Sequence, residues 1–397
     1  MSISRYVVIG ASAAGIAAIK KIRELDKNGI IICISDEKES PYNKCFLADY
    51  LGGHKMESQV YTTAINFFTD NNVVLKLNTR VTVIDRQNKQ IMCSDGVSVE
   101  YTHLLLAVGA RARCITNVRE HRRGLFYFYN FADALFLKQT ILELQPEQIV
   151  VMGGGLTGIE IADALTHYNV KITIIEQGPR ILGRHADDKA SQLIVQKALQ
   201  AGVTIFTGVS VKEFCINAEG LIVGLKLSDG TQLQTSLVIS ALGSQACLEL
   251  AEDAGLEIIQ GGIVTDDFLQ TSDPHIWAAG DVAIVNNLVT GERVRTATWP
   301  DSVQQGFYVA YSMVGQPRMY PGVAPIAVSA FFGSSFHSAG FLQPQQPTWH
   351  VQEKCDDGYL KVVIDQDNIV KGYLFFGKSC LGLSSYKRSF VAQTPLG

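Results

Sequence analysis

The chain lacks the markers of several protein classes. No run of lysine or arginine stands out among its 34 basic and 38 acidic residues, and the net charge is −4. Nucleic acid is therefore not an expected partner. No apolar stretch approaches the roughly 18 residues that a membrane-spanning helix needs. No signal-peptide layout precedes the opening apolar run Arg5-Tyr-Val-Val-Ile9. The eight cysteines, at 33, 45, 93, 114, 215, 247, 355 and 380, show neither CxxC nor zinc-like spacing. The expectation is a cytoplasmic, reducing location with no metal site. Most of these thiols read as core filler, Cys33 inside IIICIS and Cys93 inside IMC.

What is present is size, glycine and a duplication. The 397 residues exceed the roughly 250–300 that one core holds, so two or three domains are expected. A hydrophobic content of 47% with 35 glycines fits a compact α/β protein. RYVVIGASAAGIAAIKKIREL (5–25) and QIVVMGGGLTGIEIADAL (148–165) share one pattern. Each is a β-branched strand, a glycine-rich turn and a helix with apolar residues at helical spacing. Each leads to a second strand ending in acid, IIICISDE (30–37) and KITIIEQ (171–177).

The pattern has a physical logic. The first glycine makes a tight turn, the second admits a pyrophosphate, and the third lets helix and strand pack closely. The helix N-terminus offers free N–H groups and the positive end of its dipole to phosphates. The distal acid takes ribose hydroxyls. One such turn is weak evidence, but two with every part in place are specific. The second copy is complete, with Gly153, Gly155 and Gly158, the first helical residues Leu156 and Thr157, and Glu176 as the acid. The first has Gly10 and Gly15 around Ser12, Ala13 and Ala14, and its acid is Asp36 or Glu37. A carboxylate at 176 repels a 2′-phosphate, so NADH is expected over NADPH.

Four further stretches complete the pattern. They are YTHLLLAVGA (101–110), GLEIIQGGIVTDD (255–267), TSDPHIWAAGD (271–281) and TWPDSVQQGFYVAY (298–311), and SPYNKCFLADYLGG (40–53) follows the first acid. With them the chain resembles the FAD-dependent pyridine nucleotide–disulfide oxidoreductase superfamily over about residues 4–320. The resemblance implies two nested Rossmann-like dinucleotide-binding domains, one for FAD and one for NADH, plus a small C-terminal α+β domain. The implied boundaries are 1–113 with 245–320 for FAD, 114–244 for NADH, and 321–397. The tail YLKVVIDQDNIVKGYLFFG (359–377) reads as two strands around an Asp-Gln-Asp-Asn turn. It resembles the C-terminal domain of nitrite, rubredoxin and ferredoxin reductase flavoproteins.

The resemblance also implies site residues. Gly10, Ser12, Ala13, Ala14, Gly15, Tyr42, Lys44, Val81, Ala107, Gly109, Gly280, Asp281 and Trp299 would join Asp36 or Glu37 around FAD. Glu160 would lie beside the nicotinamide. His103 reads as a surface or strand-edge residue, Trp277 as core, Phe331 and Phe332 as core of the C-terminal domain, and HRR (121–123) as solvated.

Cys45 is the open position. No second cysteine lies within ten residues, so a CxxxxC disulfide is nearly excluded. One alignment puts Cys45 on the reactive cysteine of single-cysteine enzymes such as coenzyme A-disulfide reductase. There a thiolate beside Lys44 would cycle through sulfenic acid or a mixed disulfide. Ala13 stands where the peroxidase and oxidase members carry histidine, which weighs against peroxide chemistry. The other alignment, with rubredoxin and ferredoxin reductases, makes Cys45 a small group packed against the flavin, with Tyr42 and Lys44 holding FAD. Residues 321–397 are shorter than the C-terminal domain of the thiol enzymes. The favoured expectation is an NADH-dependent enzyme passing electrons through FAD to a small redox protein. A Cys45 disulfide reductase and a non-catalytic flavin sensor are the alternatives. A homodimer is compatible with the resemblance.

Overall fold

The computed structural model describes residues 3–64, 66–115, 123–354, 358–379 and 382–396. His121 and Arg122 of the HRR cluster, Cys355 and Cys380 lie outside them. The described chain divides into two compact units.

The first unit takes residues 1–45, 58–111 and 245–325. Its centre is a five-stranded parallel sheet in the order Ile276–Ala278, His103–Leu106, Arg5–Ile9, Ile30–Ile34, Val73–Lys76. The apolar runs RYVVI, IIICI and HLLL are covered on both faces, as a parallel sheet requires. Helix Ala13–Leu25 buries Ile16, Ile19 and Ile22 against this sheet. Helix Trp299–Met313 crosses the first helix closely, because at Gly306 a Cβ would lie 2.2 Å from the Ala14 carbonyl oxygen. Cys33 and Cys93 are core residues, and so is Trp277.

His103, expected at the surface or a strand edge, is half-buried. It opens a strand that has neighbours on both sides and packs between Tyr6 and Trp277, with ring centroids 5.1 and 5.6 Å away. Burial, helped by His275 and Lys89, lowers its pKa to about 4.

The second unit takes residues 46–57, 112–244 and 326–397. Its parallel sheet runs Val203–Thr207, Lys171–Glu176, Gln148–Met152, Leu237–Ser240, Leu125–Tyr127. A five-stranded antiparallel sheet follows in the order Ile326–Phe331, Ser334–Gly340, Val370–Gly377, Gly358–Ile364, His350–Lys354. The expected Asp-Gln-Asp-Asn turn joins two of these strands. The Asp365 carboxylate accepts from the Asp367 and Ile369 N–H groups at 3.0 and 2.9 Å, and Asn368 takes the left-handed conformation. Phe331 is core, packed on Phe336 and Phe376. Phe332 is half-buried in the hairpin turn, where its φ is 51°. This unit joins what the sequence reading assigns to two domains. Lys361, almost wholly buried, meets the Asp187 carboxylate at 3.0 Å, and the Tyr359 hydroxyl donates to the same carboxylate at 2.7 Å.

Candidate dinucleotide sites

The first glycine turn lies in the first unit, between strand Arg5–Ile9 and helix Ala13–Leu25. Gly10 has a φ of 108°, and a Cβ there would sit 2.1 Å from the Ala107 carbonyl oxygen. No other residue fits. Gly15 lets the helix close onto the turn, since its Cβ would meet the Gly10 oxygen at 2.0 Å. Ser12 caps the helix in extended conformation, but its side chain accepts no cap hydrogen bond, and no acid stands in the first turn. The N–H groups of this turn, at Ala13 and Ala14, are thus left for an anion. That arrangement fits the pyrophosphate of FAD.

Asp36 and Glu37 have different surroundings. Asp36 is exposed. The Glu37 carboxylate accepts from the Tyr42 hydroxyl at 2.6 Å and pairs with Lys44 at 3.5 Å. Three expected flavin-side residues therefore converge on one another. Cys45 follows them, exposed, in the short 3-10 turn Lys44–Phe46, its N–H donating to Asn43 Oδ1 at 2.9 Å.

The closing motif lies over the same turn. At Gly280 a Cβ would come 3.2 Å from the Ala14 Cβ. The Gly280 N–H donates to Gln305 Oε1 at 2.7 Å, and Gln305 is fully buried. The Asp281 carboxylate accepts from the Ser302 hydroxyl at 3.2 Å, while its carbonyl accepts from Arg295 at 3.0 Å. Burial raises the Asp281 pKa, and Ser302, Lys44 and Arg295 act against the rise. Trp299 is the first residue of its helix, half-buried, with Thr298 as cap. Ala107 is buried, Val81 is buried at the head of strand Val81–Asp85, and the Gly109 carbonyl accepts from the Cys247 N–H at 3.0 Å. Gln305 and Arg295 carried no role in the sequence reading. Gln305 stands inside TWPDSVQQGF, where a polar residue on the apolar stripe of a helix is the signal for it.

The second glycine turn lies in the second unit. Gly158 is forced by packing, because its Cβ would lie 1.9 Å from the Gly153 oxygen. Gly155, the helix cap, differs: a Cβ there meets nothing within 4 Å. The open space fits a ligand's phosphate. Leu156 and Thr157 form the first turn of helix Leu156–Leu165, Thr157 exposed. Glu176 ends its strand and accepts from the Gly154 N–H at 2.7 Å and the Gly178 N–H at 2.6 Å. Each carboxylate oxygen keeps a further lone pair for a ribose hydroxyl. Arg180, by contrast, pairs with Asp188 at 3.1 Å. Glu160 projects from the second turn of the helix, and its Oε1 accepts from the Ser329 hydroxyl at 2.6 Å. Among the described residues no cluster of three or more His, Cys, Asp or Glu could hold a metal ion, and no helix is long and apolar enough to cross a membrane.

Two parallel sheets, each with a glycine turn feeding a helix and an acid closing the next strand, define an α/β protein built for two dinucleotides. The chain belongs to the pyridine nucleotide-disulphide oxidoreductase family, whose model matches residues 4–306. It is 33% identical over 316 residues to a rubredoxin-NAD(+) reductase of Pseudomonas putida, covering 79% of this chain and 81% of that one. Over 348 residues it is 29% identical to the ferredoxin–NAD(+) reductase component of a 3-phenylpropionate/cinnamic acid dioxygenase from Photorhabdus laumondii subsp. laumondii, covering 87% and 86%. The ferredoxin reductase for the CYP199A2 system from Rhodopseudomonas palustris superposes with a TM-score of 0.86 at 26% identity, covering 94% of this chain and 91% of that one. The protein is an NAD(P)H-dependent flavin oxidoreductase, and FAD and NADH are the cofactors of its class.

Proposed function

We propose that the chain passes electrons from NADH through FAD to a small redox protein of the rubredoxin or ferredoxin type. The observation that carries this reading is the convergence of Tyr42, Lys44 and Glu37. It supports the alignment in which SPYNKCFLADYLGG holds a flavin. The names of the relatives point the same way.

In this reading residues 1–113 with 245–320 bind FAD, 114–244 bind NADH, and 321–397 form a third domain. FAD held by these residues would supply the link between a two-electron hydride donor and the acceptor. The residues do the rest. Gly10, Ser12, Ala13, Ala14 and Gly15 seat the pyrophosphate, with Glu37 at the ribose. Tyr42, Lys44, Asp281 and Trp299 orient the flavin, with Val81, Ala107, Gly109 and Gly280 lining its path. Gly153, Gly155, Leu156, Thr157 and Gly158 seat the NADH pyrophosphate. Glu176 takes the adenosine ribose and disfavours a 2′-phosphate. Glu160 stands beside the nicotinamide, where a carboxylate stabilises the positive charge the ring gains as hydride leaves.

The place of Cys45 directly after Lys44, in the turn Lys44–Phe46, favours a second reading, disulfide reduction at that thiol. Steady-state turnover separates the two. The first reading expects NADH-driven reduction of a rubredoxin or ferredoxin by wild type and Cys45→Ser alike. Turnover of a low-molecular-weight disulfide by wild type, lost in Cys45→Ser, with no reduction of either protein, would overturn it.

A further inference from the structure

We propose that Ser329, on the first strand of the C-terminal antiparallel sheet, is a positioning residue for hydride transfer that holds and orients the Glu160 carboxylate. The inference rests on the reading that Glu160 stands beside the nicotinamide.

The contact is specific in length and setting. Ser329 Oγ donates to Glu160 Oε1 at 2.6 Å, within the 2.5–2.7 Å typical of a hydroxyl bonded to an ionised oxygen. Three residues along both elements the clip repeats: the Phe332 N–H donates to Asp163 Oδ1 at 2.9 Å. Residues 160 and 163 share one helix face. The hairpin that supplies both donors is fixed by the buried Phe331, by Phe336, with which Ser329 is in register, and by Phe376. Ser329 therefore does not depend on a loose tail for its position.

The electrostatics give the hydroxyl a task. Burial raises the Glu160 pKa, and two like charges add to it: Asp49, from helix Leu47–Leu51, and Asp163, from its own helix. Ser329 is the group that acts in the opposite direction. The histidines of this region, His54 and His167, act on Asp163. A hydroxyl bonded to the charged form favours that form. Removing it leaves a carboxyl that takes up a proton at higher pH, and a neutral carboxyl no longer steadies a ring becoming positive.

The test measures the pH dependence of anaerobic flavin reduction by NADH, together with NAD+ binding by calorimetry, in the holoenzyme. In Ser329→Ala the acid limb of both profiles should move upward by about one pH unit. Ser329→Thr, which keeps the hydroxyl on a strand, should restore it. Ser329→Cys, with a weaker donor, should shift it by less, and stands in if the alanine variant loads flavin poorly. Glu160→Gln should remove the limb. Limbs that stay at the wild-type pH in Ser329→Ala and Ser329→Cys, while Glu160→Gln removes them, overturn the role of Ser329 and leave the Glu160 reading standing. A limb that survives in Glu160→Gln overturns the Glu160 reading itself. A shift that persists in the Ser329→Ala/Glu160→Gln double variant shows that Ser329 acts by another route, and overturns the proposal.

Discussion

Gly155 and Gly158 stand three residues apart and are glycine for different reasons. A Cβ at 158 collides with the Gly153 oxygen, whereas one at 155 meets no protein atom. Gly158→Ala should therefore destabilise the protein by about 2–3 kcal/mol through overpacking. Gly155→Ala should change stability by less than about 1 kcal/mol and raise the KM for NADH roughly tenfold, the effect of about 1.4 kcal/mol of lost binding. Urea unfolding and steady-state kinetics on the two variants check this. Equal losses of stability would mean that Gly155 is structural.

His103 makes a pH prediction. It is neutral in the fold until about pH 4, where burial has placed its pKa, while the unfolded chain takes up the proton near pH 6.5. The unfolded state thus binds more protons between these values, so stability falls as pH drops through that window. The contribution is on the order of 2 kcal/mol after allowance for partial exposure. His103→Phe should flatten the acid arm of the stability curve between pH 6.5 and 4. These two cases also mark what sequence reading reaches at a single position. The glycines were legible because backbone geometry leaves few alternatives. The setting of His103 was not, because it depends on Trp277, 174 residues away in the chain.

At the scale of elements, both strand–turn–helix units and the C-terminal hairpin could be read from local pattern. Alternation, helical spacing and glycine turns are short-range signals, whereas the register of Tyr6 with His103 or Gln148 with Lys171 is not, because strands buried on both faces carry no alternation to set it. The contact of helix Trp299–Met313 with helix Ala13–Leu25 could not be read this way, because it joins chain segments nearly 300 residues apart. Gln305 exploits that contact by accepting the Gly280 N–H beside Asp281. Gln305→Leu leaves that N–H without its partner at a cost of about 1–3 kcal/mol. The expected outcome is faster flavin loss on dilution, read by fluorescence of released FAD, with NADH affinity unchanged. Flavin retention equal to wild type would separate Gln305 from the flavin site.

At the scale of the whole molecule, the chain passes from the first unit to the second and back twice before ending in the second. The sequence reading expected such nesting from the order of its motifs. Residues 321–397 stand apart there as what the resemblance implies, and the local pattern says nothing of what that tail packs on. The packing lies in side-chain pairs that no local pattern announces: Ser329 with Glu160, and Lys361 and Tyr359 with Asp187. The acceptor is the function-level feature that neither scale of pattern specifies, since the fold sets out two dinucleotide sites and leaves the electron's destination to surface chemistry. The direct measurement is an anaerobic double mix. The flavin is first reduced with one equivalent of NADH, then mixed with an oxidised rubredoxin or ferredoxin. The account predicts bleaching by NADH, followed by return of the flavin colour at a rate that rises with acceptor concentration, in wild type and Cys45→Ser alike. A flavin that stays reduced with both proteins, yet is reoxidised by a small disulfide only when Cys45 is present, would contradict it.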